Sequence, residues 1–320
     1  MSDPGTATPT IDDAFAAAER LKPFFLPTPL IEAPSLSGEI GVRIFGKVDA
    51  LLPSGAFKYR GALNFLLQLS DDDRARGVVA FSTGNHAQAV ALAAQKLGIR
   101  AKIVMPRDAP TVKIENTRAY GGDIHLFDRQ TESREAIADE YAQQGMVLLP
   151  PFDHPHVVAG QATSGLEIFD HLKQLKVDAN SVLVCSSGGG LLAGISLAAQ
   201  ALSPATHVIA VEPAVTPVWC ESLKAGRAVA VPYRETICDA LAPANPEPGS
   251  VPWAVVKSHL AEVIGVHDDG VVHAMEIAER KFGLCLEPGG AIALAAAIEH
   301  RERFADQTLV VTLSGRNRDF

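Results

Sequence analysis

Pro53-Ser54-Gly55-Ala56-Phe57-Lys58-Tyr59-Arg60-Gly61-Ala62 is the stretch on which the reading of this chain turns. A single lysine follows a Ser-Gly-Ala-Phe turn and heads an apolar helical run of Ala62, Leu63, Phe65, Leu66 and Leu67. On an exposed helix a lysine is a hydrated point charge. Held at a turn-to-helix junction beside an aromatic ring, it is partly desolvated, and desolvation lowers its pKa. Lys58 is therefore a candidate amine nucleophile or Schiff-base former. Taken alone the stretch reads equally as an ordinary helix start, so its neighbours decide.

Working outward, two loops share one design. Ser82-Thr83-Gly84-Asn85-His86 follows the β-like run Val78–Phe81 and opens a helix rich in alanine and valine. Ser186-Ser187-Gly188-Gly189-Gly190-Leu191 follows Val182-Leu183-Val184 and opens another. A strand, a glycine turn and a helix N-terminus make an anion site, because glycine lets backbone N–H groups approach a phosphate. The triple glycine also suits a plain turn or a dinucleotide loop, but no clear acidic ribose partner follows it.

From residue 77 to 149 short apolar runs alternate with helical periodicity: strands 77–81, 101–105, 123–127 and 146–149, helices 85–97, 110–120 and 132–144. Such alternation predicts βαβ units and a parallel sheet. Pro150-Pro151 interrupts it. Beyond lie helix 157–172, strand 181–184, helix 191–202, strand 207–211, a Pro/Gly-rich loop over 240–253, helices 269–282 and 289–300, and strand 308–313. Near the N-terminus the first ten residues read as loose, a helix starts at Thr10-Ile11-Asp12-Asp13, and 42–48 is a strand.

The 320 residues suffice for two α/β units. A formal charge of -9 with no long basic run excludes nucleic acid and anionic membrane as expected partners. Cys185, Cys220, Cys238 and Cys285 form no Cys-x-x-Cys pair and read as buried, reduced thiols. No basic leader with an apolar segment and no long apolar window is present, so the expected location is the cytoplasm.

Lys58, the Ser-Thr-Gly-Asn-His loop, the triple glycine and Ser314-Gly315-Arg316-Asn317 occur in an order and spacing that resembles the fold type II pyridoxal-phosphate (PLP) enzymes. Within them the resemblance is to the threonine/serine dehydratase and serine racemase group, and it runs from Thr28-Pro29-Leu30 to Ser314. It implies a two-domain α/β fold like the tryptophan synthase β chain, with parallel-sheet layers and helices on both faces. Residues 1–70 and 152–320 would form a large PLP-binding domain, and 75–150 a small mobile domain bearing the substrate loop. It further implies a homo-oligomer, a dimer by resemblance.

The resemblance also assigns roles. Lys58 would carry PLP covalently and act as the base at the substrate Cα. Phe57 would lie against the pyridine ring and Asn85 would bond its 3′ oxygen. Ser187, Gly188, Gly189, Gly190 and Leu191 would cradle the phosphate, with Ser187 where the family usually has a further glycine. Ser82, Thr83, Gly84, Asn85 and His86 would receive the amino-acid substrate's α-carboxylate, His86 reading equally as a structural histidine. Thr83 stands where racemases of the group place a serine proton donor. Ser314 would face the pyridine nitrogen, and its hydroxyl would leave that nitrogen largely neutral. Arg316 departs from the glycine common at its position. Arg134, in Thr131-Glu132-Ser133-Arg134, would reach the mouth of the site and could meet a second carboxylate.

No metal site is expected. In the racemase subgroup Glu212 would join a cation site with an acidic residue six positions on, but here that residue is Val218, leaving Thr216 to supply a carbonyl. His154-Pro155-His156 reads as a loop. The implied activity is a PLP-dependent ammonia-lyase for serine or threonine, giving a 2-oxo acid and ammonia. 3-Hydroxyaspartate dehydration and serine racemisation are alternatives, and a non-catalytic phosphate-binding α/β protein is the rival from another class. The six residues after Ser314 predict a stand-alone, catabolic enzyme.

Overall fold

The computed structural model describes residues 7–232, 234–241, 249–257 and 259–318. Its strands are β1 (Leu30–Glu32), β2 (Arg43–Lys47), β3 (Val78–Phe81), β4 (Ala101–Pro106), β5 (Asp123–Phe127), β6 (Val147–Leu148), β7 (Ser181–Cys185), β8 (His207–Pro213), β9 (Leu260–Val266) and β10 (Thr308–Thr312). The helices are α1 (Ile11–Leu21), α2 (Pro34–Ile40), α3 (Lys58–Leu66), α4 (Asp71–Arg76), α5 (Asn85–Leu97), α6 (Thr111–Ala119), α7 (Arg134–Gln143), α8 (Pro155–Leu175), α9 (Gly190–Leu202), α10 (Val218–Ala225), α11 (Val251–Val256), α12 (Asp268–Phe282) and α13 (Pro288–Glu299).

Two sheets result. The smaller has four parallel strands in the order β5-β4-β3-β6. The larger has six in the order β1-β2-β10-β7-β8-β9, all parallel except that β1 runs against β2. Every residue of β7 is buried, as expected of a parallel strand covered on both faces. Helix α13 is apolar all round, and Gly289–Ile298 is buried throughout, so it lies inside the larger core. Helix α3 shares a second core with the small sheet: Tyr59, Leu63 and Leu66 join Ala87, Val90 and Ile103. The lysine-bearing helix thus packs against elements of the inserted sheet as well as against α8.

The structure departs from the sequence reading in a few places. Part of the loop expected over 240–253 is helix α11, where Ser250 accepts from the Trp253 N–H and Pro252 sits in the first turn, where its missing N–H costs no intrahelical bond; residues 242–248 lie outside the described residues. Strand β9 has no counterpart in the sequence reading. It is an edge strand of irregular burial, and its pairing with β8 shifts register between Val208 and Ile209. Residues 1–6 lie outside the described residues, while Thr10 caps α1 through a reciprocal capping box with Asp13. Cys220 and Cys285 are only half-buried, although all four cysteines are free as expected.

A buried charge cluster ties α3 to the large sheet. Arg60 donates from Nη2 to Asp49 Oδ1 at 2.8 Å and from Nη1 to Glu167 Oε1 at 2.7 Å. Lys47 Nζ reaches Glu167 Oε2 at 2.5 Å and the Thr28 carbonyl at 2.7 Å. Two cations thus balance two anions. Burial alone would raise the Asp49 pKa, but Arg60 and Lys47 hold it below the usual carboxylate value.

Candidate active site

Both loops singled out above leave the carboxyl ends of parallel strands, where α/β sheets place ligands. Ser82–Gly84 links β3 to α5, and Ser186–Gly189 links β7 to α9. Ser314 lies just beyond β10. The Ser54–Lys58 turn is laced to that end of β10: Phe57 N–H donates to Ser314 O at 3.0 Å, Arg316 N–H to Gly55 O at 2.9 Å, and Ala56 pairs antiparallel with Gly315. Three strand ends and the head of α3 therefore meet in one cleft.

The cleft encloses about 470 Å³, and every site residue expected from the sequence lines it: Phe57, Lys58, Ser82, Thr83, Gly84, Asn85, His86, Arg134, Ser187, Gly188, Gly189, Gly190, Leu191 and Ser314. A larger hollow of about 1040 Å³ lies between α1 and α8, but Arg60 and Glu167 at its floor are already paired. The smaller cleft holds the chemistry.

Lys58 Nζ donates to the Pro151 carbonyl at 2.6 Å and lies 5.2 Å from the centre of the Phe57 ring. Burial brings its pKa down to about 8, Cys185 opposing slightly. Opposite it, Gly189 caps α9 at φ +87 with no side-chain cap, leaving the first-turn N–H groups open. A Cβ on Gly189 would stand 2.2 Å from Trp219, and one on Gly188 would stand 2.4 Å from Phe152. Only glycines leave this cradle room, and Trp219 Nε1 fixes it by donating to Ser187 O at 2.6 Å.

Ser314 is buried and its Oγ accepts from the Cys185 thiol at 3.2 Å, which leaves the hydroxyl proton available to donate. His86 Nε2 is bonded to Leu149 O at 3.0 Å; burial, with the charge of Lys58, takes its pKa down to about 3. It is a neutral imidazole tied to the backbone. Arg134 reaches the cleft, but its Nε donates to Glu135 Oε1 at 2.6 Å and its guanidinium lies 5.3 Å from the Phe81 ring centre. It has partners before any substrate arrives.

Sequence reasoning missed Lys113, Asp239 and Glu287, and quoted Asn317 in the Ser314–Asn317 motif without giving it a role. Lys113 Nζ pairs with Asp239 Oδ2 at 2.5 Å across the cleft, with its stem against Gly84. Glu287 Oε1 accepts from Asn85 Nδ2 at 2.5 Å, and Asn85 Oδ1 accepts from Asn317 Nδ2 at 2.8 Å. The one available signal was an acidic residue directly before the wholly apolar run of α13. Glu212 caps α10: its Oε2 accepts from Trp219 N–H at 2.8 Å and its Oε1 from Cys220 N–H at 3.0 Å. Among the described residues no group of three His, Cys, Asp or Glu is arranged for a metal, and no helix is long and apolar enough to cross a membrane.

Residues 21–315 match the family model described as pyridoxal-phosphate dependent enzyme. The chain is 37% identical to serine racemase of Schizosaccharomyces pombe over 100% of this chain and 97% of that protein. It is 36% identical to L-threo-3-hydroxyaspartate ammonia-lyase of Saccharomyces cerevisiae, over 97% and 94%. The solved serine racemase of maize superposes with a TM-score of 0.91 at 36% identity, covering 98% of this chain and 95% of that one. An amine of lowered pKa facing an open helix N-terminus fits a phosphate-bearing aldehyde, and the chain belongs to the fold type II pyridoxal-phosphate dependent enzymes, in the group of the threonine/serine dehydratases and serine racemases.

Proposed function

We propose that the protein is a carbon–oxygen lyase, an ammonia-lyase that converts a β-hydroxy α-amino acid, serine or threonine, to a 2-oxo acid and ammonia. One observation carries the reading: Lys58, the Gly188–Leu191 cradle, the Ser82–His86 loop and Ser314 share one cleft. PLP, when bound, supplies an electron sink for negative charge at Cα, and the protein selects the bond that breaks. With a pKa of about 8, Lys58 is in part the free amine at neutral pH and can take a proton from Cα. The N–H groups opening α5 receive the α-carboxylate. Ser314 donates a proton without placing a formal charge beside the ring. The Cα–H and Cβ–O bonds break, the hydroxyl leaves as water, and hydrolysis of the enamine product yields the oxo acid and ammonia.

Thr83 bears on the choice between elimination and racemisation. Its hydroxyl can carry a proton, but the methyl restricts its rotamers and crowds the substrate face. Elimination is expected to outrun racemisation. A second reading, 3-hydroxyaspartate as substrate, draws on Arg134 in the cleft lining and on the similarity to the yeast 3-hydroxyaspartate ammonia-lyase. Its weakness is the Glu135 pair, which a distal carboxylate has to displace.

Assays with L-serine, L-threonine and the 3-hydroxyaspartate stereoisomers, scoring oxo acid, ammonia and D-serine, decide among these. Pyruvate from L-serine forming faster than D-serine supports the lyase; the reverse overturns it. If 3-hydroxyaspartate is preferred and R134A weakens it alone by about ten- to a hundredfold, the size of a lost charge-assisted hydrogen bond, the second reading replaces the first.

A further inference from the structure

Glu287 stands in the cleft with an oxygen that none of the described residues satisfies. The residue is 2% exposed, and its Oε2 has no hydrogen-bond partner. Buried carboxyl oxygens without partners are costly, and one left in a cofactor cleft calls for an explanation. Its side chain is wedged into place: a Cβ on Gly315 would stand 1.9 Å from Glu287 Oε1, so the glycine at 315 makes room for the carboxyl. Backbone bonds lock the pair, with Glu287 N–H donating to Gly315 O at 3.1 Å.

The other oxygen acts on Asn85. Asn317 Nδ2 donates to both Ser54 O at 2.9 Å and Asn85 Oδ1 at 2.8 Å, which commits both of its protons. Asn85 must then show its oxygen to Asn317 and its nitrogen to Glu287, whose Oε1 accepts at 2.5 Å. One Nδ2 proton remains for the cleft. An asparagine gripped from one side only can turn over, exchanging donor for acceptor; gripped from both sides it presents one face.

We propose that Glu287 is a positioning residue which, opposite Asn317, fixes the orientation of the Asn85 amide toward the cofactor, and that the proton at its Oε2 sets the strength of that hold. As a carboxylate it accepts a charge-assisted bond from Asn85, about twice as strong as one to the neutral acid. The charged and titratable groups facing it are Lys113 from α6, Asp239 from the turn before residue 242, and the Cys185 thiol at the end of β7, which burial keeps neutral. Burial outweighs Lys113 and Asn85 and brings its pKa up to about 7, so the proton comes and goes near neutrality.

The test uses binding of pyridoxine 5′-phosphate to the cofactor-free protein, since this alcohol cannot react with Lys58. The inference builds on the cofactor assignment but not on the lyase reading, because no turnover is measured. The ratio of dissociation constants, E287Q over wild type, cancels the ionisations of ligand and lysine. It should be near one at pH 6, where both side chains are neutral, and rise to about fivefold at pH 8.5, where only the wild type is charged. In an N85A background the rise should vanish, and N317A, which leaves Glu287 as the remaining grip on Asn85, should weaken binding more at pH 6 than at pH 8.5. A flat ratio, or a rise that persists in N85A, overturns the inference. Should E287Q fail to fold, an N317A effect that is the same at both pH values overturns it.

Discussion

The Lys58 amine faces opposing demands: it must be neutral to attack an aldehyde, yet it is basic by nature. Burial resolves them by moving its pKa from 10.5 to about 8. A lowered lysine pKa means that the free amine grows with rising pH, so PLP capture by the cofactor-free protein should accelerate through pH 8 and level off above pH 9. Stopped-flow absorbance across that range checks it; a rate independent of pH would place the shift elsewhere. K58A should retain PLP only through the glycine cradle and lose turnover by about 10²–10⁴-fold or more. Borohydride reduction followed by peptide mapping should find the label on Lys58 alone. The lysine stood out within ten residues of sequence, and the two glycine loops with Ser314 supplied its role. Glu287 was not legible, because its role depends on Asn85 and Asn317, respectively 202 positions before it and beyond β10. Contacts of that range leave no local pattern.

Among the elements, those with a clear period stood out and those without one did not. Helix α5 and strand β5 fall on the residues that the sequence pattern predicts. Strand β9, irregular in burial at the sheet edge, and α11, a helix of six residues of which five are buried, are too irregular or too short to show a period. The α9 cap offers a test of its own. G189A forces an L-residue toward φ +87 and drives a methyl into Trp219, so it should weaken phosphate binding at least tenfold by calorimetry while the far-ultraviolet spectrum persists. The cap on α10 makes a different prediction. E212A leaves two buried N–H groups unpaired and should cost about 1–3 kcal/mol in denaturant unfolding. Because α10 already holds both oxygens of that carboxyl, chelators are expected to change neither stability nor activity; loss on chelation with recovery on magnesium would reverse this.

The molecule as a whole is held across its two sheets by α3, which shares one core with α5 and carries Arg60 into the charge cluster beneath the other. E167Q removes one partner from that set and leaves a buried cation uncompensated. The expected cost is about 3–5 kcal/mol, read as a lower denaturant midpoint. Replacing the whole set with apolar residues should cost far less, because burying ions is itself expensive. A small loss in E167Q would mean that water reaches the cluster.

The strand order has a consequence for biosynthesis. Strand β10 lies between β2 and β7, so both of those neighbours wait for it with an open edge. About 125 residues separate the end of β7 from the end of β10, and at about 5–20 residues per second their translation takes on the order of 6–25 s. During that interval a nascent chain displays two unpaired apolar strand edges, the kind of template on which polypeptides aggregate. The central position of β10 in the finished sheet therefore makes the unfinished chain a natural client for chaperones at the ribosome.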